Sequence, residues 1–245
     1  MRLQGKAVLI TGAARRVGRA IALALAARGA RVAIHYHRSR RDAQRLAADL
    51  RAGFGRDSLA VAADLADVRA VRRMAAAVAR RFGDIHVLVN NAAIFSRTPF
   101  PEITPEDWDR HLAVNLRAAF FLSQAIAPLM RRLGEGKIIN IADWTALRPW
   151  PDHIPYCVSK AGLLCLNTAL AKELAPEIQV NAIMPGPVLM PEGSPPRRAR
   201  DIARATLLKR LGSPEDVAKA VVFLIESADY ITGAAIPVDG GRLAA

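Results

Sequence analysis

What most limits the fold of this chain is a rhythm. Short apolar runs at 7–10, 32–35, 59–62, 87–90, 138–141, 179–183 and 235–238 are separated by longer Ala-, Leu- and Arg-rich stretches with helical spacing. Runs that are apolar at nearly every position belong to strands covered on both faces, and strands that alternate with helices pair in parallel. The pattern therefore predicts an α/β fold: one Rossmann-type, doubly wound parallel sheet of about seven strands with helices on both faces. Helix boundaries are marked by their chemistry. Thr104-Pro105-Glu106-Asp107 and Ser213-Pro214-Glu215-Asp216 each supply a capping hydroxyl, a proline at the first helical position and acid in the first turn. Gly29 is expected to close the first helix. With 245 residues, 52% of them hydrophobic, a single domain over 1–245 can bury one large core and no second domain is needed. Pro- and Gly-containing loops fall at 146–155 and 185–196, and the segment near 187–205 is expected to cover a substrate.

Charge and cysteines narrow the class. The net charge of +13 comes from 35 basic and 22 acidic residues. Most of the excess is scattered arginine on polar helix positions with no aromatic platform between, which disfavours a nucleic-acid partner. Arg38-Ser39-Arg40-Arg41 and Pro195-Pro196-Arg197-Arg198-Ala199-Arg200 are denser and suit small anions. No uninterrupted apolar run approaches bilayer length, and Met1–Lys6 leads straight into the first strand, so a soluble cytoplasmic protein is expected. Cys157 and Cys165 stand eight apart on one predicted helix, unsuited to a disulfide.

The first strand ends in Thr11-Gly12-Ala13-Ala14-Arg15-Arg16-Val17-Gly18, and an apolar helix follows at once. Strand, glycine turn and helix in this order make a dinucleotide site: Gly12 for the tight turn, Gly18 for close helix–sheet approach, and the free N–H groups of the helix start for a pyrophosphate. A middle glycine is expected at 16, where Arg16 stands and can add a guanidinium. The end of the second strand, Ile34-His35-Tyr36-His37-Arg38-Ser39, lacks the acid that would take a ribose 2′-hydroxyl. Arg38, His35 and Ser39 can take a 2′-phosphate instead, which favours NADPH. A metal at His35 and His37 is disfavoured, since a third nearby ligand is missing.

Tyr156-Cys157-Val158-Ser159-Lys160 places a phenol and an ammonium one helical turn apart. A cation beside a phenol lowers its pKa toward working pH, the requirement for a general acid. Asp143 lies thirteen residues upstream.

With Thr11–Gly18, Asn90-Asn91-Ala92, Asn115, Asp143, Tyr156-x-x-x-Lys160 and Pro185-Gly186 in this order, the chain resembles the short-chain dehydrogenase/reductase family over essentially its whole length. The resemblance implies a catalytic set of Asp143, Tyr156, Lys160 and Asn115, with Asn115 supporting a proton relay and Lys160 also holding the nicotinamide ribose. It implies a cofactor set of Gly12, Arg15, Arg16, Val17, Gly18, His35, Tyr36, His37, Arg38 and Ser39, with Asp64-Leu65 on the adenine. Asn90, Asn91, Ala92 and Ala93 would line the cofactor, and Pro185, Gly186 and Val188 would lie beside the nicotinamide. A homotetramer is implied by resemblance as well, with Asp239-Gly240-Gly241 near a subunit contact.

Two departures point to a narrower branch. Most members carry serine where Asp143 stands, and a carboxylate there cannot donate to a carbonyl oxygen. Arg16, together with the segment from His35 to Ser39, resembles the pteridine reductases and dihydromonapterin reductases. In those enzymes the same Asp, Tyr and Lys act on a pterin stacked between nicotinamide and an aromatic ring, here Phe95. The implied substrate contacts are Arg16, Phe95, Asp143, Trp144 and Tyr156. The expected activity is NADPH-dependent reduction of a C=N bond in a dihydropterin or dihydrofolate-like compound. The alternative is an NADPH-dependent carbonyl reductase acting on a ketone, 3-oxoacyl thioester or sugar derivative.

Overall fold

The computed structural model describes residues 1–190 and 195–245. Seven strands, β1 (Ala7–Ile10), β2 (Arg31–Tyr36), β3 (Ser58–Ala62), β4 (Val87–Asn90), β5 (Gly136–Ile141), β6 (Ile178–Pro185) and β7 (Ala235–Val238), form one sheet in the order β3-β2-β1-β4-β5-β6-β7. Every neighbouring pair is parallel. Each expected strand is present, and the differences lie only at the ends: β6, for example, runs on to Pro185, paired with Val238. The expected fold class is the one observed.

Alternation along the strands builds the two cores. In β1, Val8 and Ile10 point to one face and Ala7 and Leu9 to the other, as the two-residue period of a strand dictates. On the first face they meet α1 (Arg16–Ala26), α2 (Arg40–Phe54) and α8 (Pro214–Glu226) through Ile21, Leu25, Leu46, Val217 and Val221. The second face is covered by α3 (Val68–Phe82), α5 (Ala118–Leu133) and α6 (Ile154–Leu174) through Val71, Val78, Leu122, Ile126 and Leu170.

The remaining helices are α4 (Pro105–Leu112) and α7 (Pro196–Arg204). Capping boxes close on Thr104 with Asp107 and on Ser213 with Asp216, as the sequence indicates. Gly29, at φ +90, sits in the turn after α1. Residues 196–204 are helical, so part of the expected covering loop is α7, while residues 191–194 lie outside the described residues. Pro105–Leu133 and Ile154–Leu174 are long and apolar enough by composition to cross a bilayer, a property that counting uninterrupted apolar runs overlooks. In the most apolar 18-residue stretch of each, 44% and 50% of residues are buried inside the protein, which is how core helices against a sheet behave.

The strand order reverses between β1 and β4. There the chain leaves one strand toward one edge and the next toward the other, opening a crevice outside the carboxyl ends of the strands. The cleft described below lies there.

Candidate active site

A cavity of about 770 Å³ runs along the carboxyl ends of the strands. Its nucleotide end is the turn between β1 and α1. Gly12 has φ +62, and a Cβ there would lie 2.9 Å from the Ala92 backbone; a Cβ on Gly18 would lie 2.3 Å from the Gly12 carbonyl oxygen. Only glycine permits this approach, leaving a bare backbone cradle of the kind a pyrophosphate occupies. Arg16, where a middle glycine was expected, keeps a glycine-like backbone at φ +53. Holding a side chain there costs on the order of 1 kcal/mol, a strain tolerated at ligand sites. Asn91 fixes the turn from behind, its Nδ2 donating to the carbonyls of Thr11 (2.8 Å) and Gly12 (3.2 Å).

Most of the expected cofactor residues line this cavity: Gly12, Arg15, Arg16, Val17, Gly18, His35, His37, Asp64, Leu65, Asn91, Ala92, Ala93, Pro185, Gly186 and Val188. Several do something else. His35 does not present a phosphate ligand: its Nδ1 accepts from the Gly12 N–H at 3.0 Å and its Nε2 donates to the Ala63 carbonyl at 3.1 Å. Both ring nitrogens are spent, and burial lowers its pKa to about 4, so it is a neutral pin under the glycine turn. Tyr36 packs against the core, and Arg38 and Ser39 stand outside the cavity wall. The Ser39 hydroxyl caps nothing in α2, and Arg38 is exposed. Asn90 turns inward, donating to Asn140 at 2.9 Å.

At the centre, β5 delivers Asp143 just past its end, and α6 presents Tyr156 and Lys160 one turn apart. Tyr156 Oη donates to Asp143 Oδ2 at 2.8 Å, while Asp143 Oδ1 accepts from the Thr145 N–H (2.8 Å) and hydroxyl (2.7 Å). Every contact of this carboxylate is as an acceptor. Lys160 is buried and donates from Nζ to the Ile141 carbonyl at 2.6 Å. The expectation that Lys160 lowers the Tyr156 pKa is not met. The phenol is raised well above its ordinary value, first by burial and then by the charge and hydrogen bond of Asp143. Burial depresses Lys160 itself to about 8, and Asp143 opposes that shift. Burial thus dominates both shifts, and the carboxylate modulates them, raising both groups.

Asn115 lies in a π-helical turn, Ala113–Arg117, between α4 and α5. Its amide grips the Ile94 backbone, Oδ1 accepting from Ile94 N at 2.9 Å and Nδ2 donating to Ile94 O at 3.1 Å, and Nδ2 also donates to Ser159 Oγ at 3.0 Å. It stands behind the cavity wall, so its side chain holds the wall in place and the amide protons are not aimed at Lys160.

The substrate end is aromatic. Phe95 lies 4.6 Å from His153 in a stacked arrangement, 4.8 Å from Tyr156 and 6.3 Å from Trp150 edge-on, and Trp144 packs against Trp150 at 5.6 Å. Two loops bring these rings together: Thr98 N donates to Asp152 O at 2.7 Å, and Arg97 pairs with Asp152 at 2.8 Å. Arg16, Phe95, Asp143, Trp144 and Tyr156, the five expected substrate contacts, all line the cavity. Cys157 packs below, accepting from Trp150 N at 3.4 Å. Leu189, Met190, Arg198 and Ile202, from the segment expected to cover a substrate, also line the cavity, as do Arg110 and Arg242, which were not anticipated. Nothing in the spacing of a surface helix such as α4 marks one arginine as facing a cleft. Only the dense run around Arg198 had carried a signal.

Comparison with known proteins places the chain among short-chain oxidoreductases, and none of the relatives named here is a pteridine reductase. Residues 12–242 match a family described as enoyl-(acyl carrier protein) reductase. The chain is 38% identical to D-threitol dehydrogenase of Mycolicibacterium smegmatis over 98% of its length and 94% of the relative's. It is 36% identical to 3-oxoacyl-(acyl-carrier-protein) reductase of Staphylococcus aureus, covering 96% and 97% of the two chains. A blue fluorescent protein from a metagenomic library, solved in complex with NADPH, superposes with a TM-score of 0.90 at 34% identity, over 99% of each chain.

Proposed function

The chain belongs to the short-chain dehydrogenase/reductase family of nicotinamide-dependent oxidoreductases, and on that premise we propose that it is an NADPH-dependent reductase acting on a C=N bond of a pteridine-like heterocycle. The glycine cradle, Arg16 and the absence of an acid at the end of β2 fit NADPH, and the NADPH-bound neighbour supports the same cofactor. NADPH, when bound, would supply the hydride, and by family resemblance Pro185-Gly186 would flank its nicotinamide and Lys160 would hold its ribose. The assembly proposed from family resemblance is a cytoplasmic homotetramer.

The observation that carries the substrate reading is the Asp143–Tyr156 hydrogen bond. An acceptor-only carboxylate gives a carbonyl oxygen no second donor and opposes the negative charge that grows on it. A heterocycle that presents ring or amino N–H to Asp143 satisfies the carboxylate instead. It also frees the Tyr156 proton for the ring nitrogen, so that carbon gains the hydride and nitrogen the proton. Burial keeps Tyr156 protonated until that transfer, and the flat aromatic wall of Phe95 suits a planar ring.

A second reading, carbonyl reduction, is favoured by the relatives, whose names refer to a 3-oxoacyl substrate and a sugar alcohol. It needs Asp143 protonated or turned away from the substrate oxygen. Asp143→Ser separates the two. NADPH oxidation with dihydrobiopterin should fall about 100-fold while activity on a 3-oxo ester holds or rises. Turnover of 3-oxo esters but of no dihydropterin by the unaltered enzyme would sink the heterocycle reading.

A further inference from the structure

The cleft extends beyond what hydride and proton transfer require. Its lining also includes α4 and α7, and each contributes one arginine: Arg110 from the last turn of α4 and Arg198 from the first turn of α7. Both are exposed, and among the described residues neither has an ion-pair or hydrogen-bond partner through its guanidinium. Three nearby arginines are matched. Arg97 is held by Asp152 at 2.8 Å, Arg197 reaches Asp201 at 3.9 Å, and Arg242 lies over Trp144 at 5.1 Å while donating to Ala205 O at 3.2 Å.

Among the described residues no acid pairs with either guanidinium. Asp201 shares the wall but sits one turn from its own partner, and Asp107 is consumed in the α4 cap. The first turn of α7 contains no acid. Arg198 stands beside the aromatic box: burial chiefly lowers the His153 pKa, Asp152 opposes this, and Arg97 and then Arg198 add to the lowering.

Two uncommitted guanidiniums lining the same cavity as the reducing centre can read an anion. We propose that Arg110 and Arg198 select a substrate whose reducible group carries an anionic arm, a carboxylate or a phosphate, directed outward past Phe95. The inference rests on the reductase reading for the direction of the arm, with the reacting group against Tyr156. It does not depend on whether that group is C=N or C=O.

Matched pairs of compounds test it by isothermal titration into the NADP⁺-loaded enzyme. Dihydrofolate, with two carboxylates, is compared with dihydrobiopterin, which has none; acetoacetyl-coenzyme A, with phosphates, is compared with ethyl acetoacetate. Binding of the anionic member should exceed that of its neutral partner about tenfold or more in at least one pair. Arg110→Ala and Arg198→Ala should each erase about tenfold of that preference and leave neutral binding unchanged, with Arg→Lys recovering part of it. Preference in the thioester pair alone assigns the arm to phosphate and overturns the heterocycle reading while leaving the anion reader standing. Equal binding within both pairs, equal losses for charged and neutral members, or no binding by any of the four overturns it.

Discussion

At the nucleotide end of the cleft the walls are backbone, locked from beneath by buried side chains: Gly12 and Gly18 against Ala92 and each other, His35 under the turn, Asn91 behind it. At the substrate end the walls are side chains drawn from many separate segments, with Phe95 48% exposed and Arg110 and Arg198 in solvent. A backbone cradle has one shape and tolerates no added atom. A wall of rings and guanidiniums can be altered one residue at a time without disturbing the fold. The contrast teaches where this scaffold is free to change its substrate and where it is not.

Breaking the cradle should have the largest effect. In Gly18→Val the new Cβ falls 2.3 Å from Gly12 O and 2.8 Å from Ala13 Cα, both backbone atoms that cannot swing aside. NADPH binding, measured by titration, should weaken about 100-fold, the equivalent of a severe overpacking strain. Phe95→Ala should raise the substrate KM about tenfold and leave NADPH affinity where it was. If the two variants damage cofactor and substrate binding alike, the two ends are not independent and the comparison fails.

His35 sharpens the same comparison through stability. Its folded pKa of about 4 lies below the ordinary 6.5, so the unfolded chain binds the extra proton between those values. Folding stability therefore rises with pH across that window and is lost as pH falls from 6.5 toward 4, by about 3 kcal/mol for this one group. Thermal melts of His35→Gln should show a shallower acid limb than the parent. The depressed His86 and His153 persist in both proteins and act in the same direction. An acid limb of unchanged steepness would show that His35 is not the neutral pin the geometry makes it.

The same division explains what could be read from the sequence. Strands, helix caps and the glycine turn follow from local rules, because period-two burial, a capping hydroxyl or a positive φ is specified by neighbouring residues. The identities of Asp143, Tyr156 and Lys160 were legible as well. Their electrostatics were not: the shift of Tyr156 depends on burial and on the distance to Asp143, and a spacing of four to Lys160 carries neither. His35 misled for a related reason, since a histidine at a strand end looks available until Gly12 and Ala63 consume both nitrogens. Arg110 was out of reach because nothing in the spacing of α4 marks it as facing the cavity, whereas the dense run around Arg198 already suited small anions.

The smallest predicted effect lies where the two ends meet. Lys160, depressed to about 8, should impose a basic limb on kcat/KM as its ammonium loses a proton. Asp143 is negative and raises both Lys160 and Tyr156, so neutralising it in Asp143→Asn lets both titrate at lower pH. Whichever of the two sets the limb, the sign is the same: the fall in kcat/KM should begin earlier by up to about one pH unit. A limb that stays in place would mean that Asp143 contacts the substrate without governing the acid. Its role would then belong wholly to the variable substrate wall and not to the proton-transfer centre that both ends share.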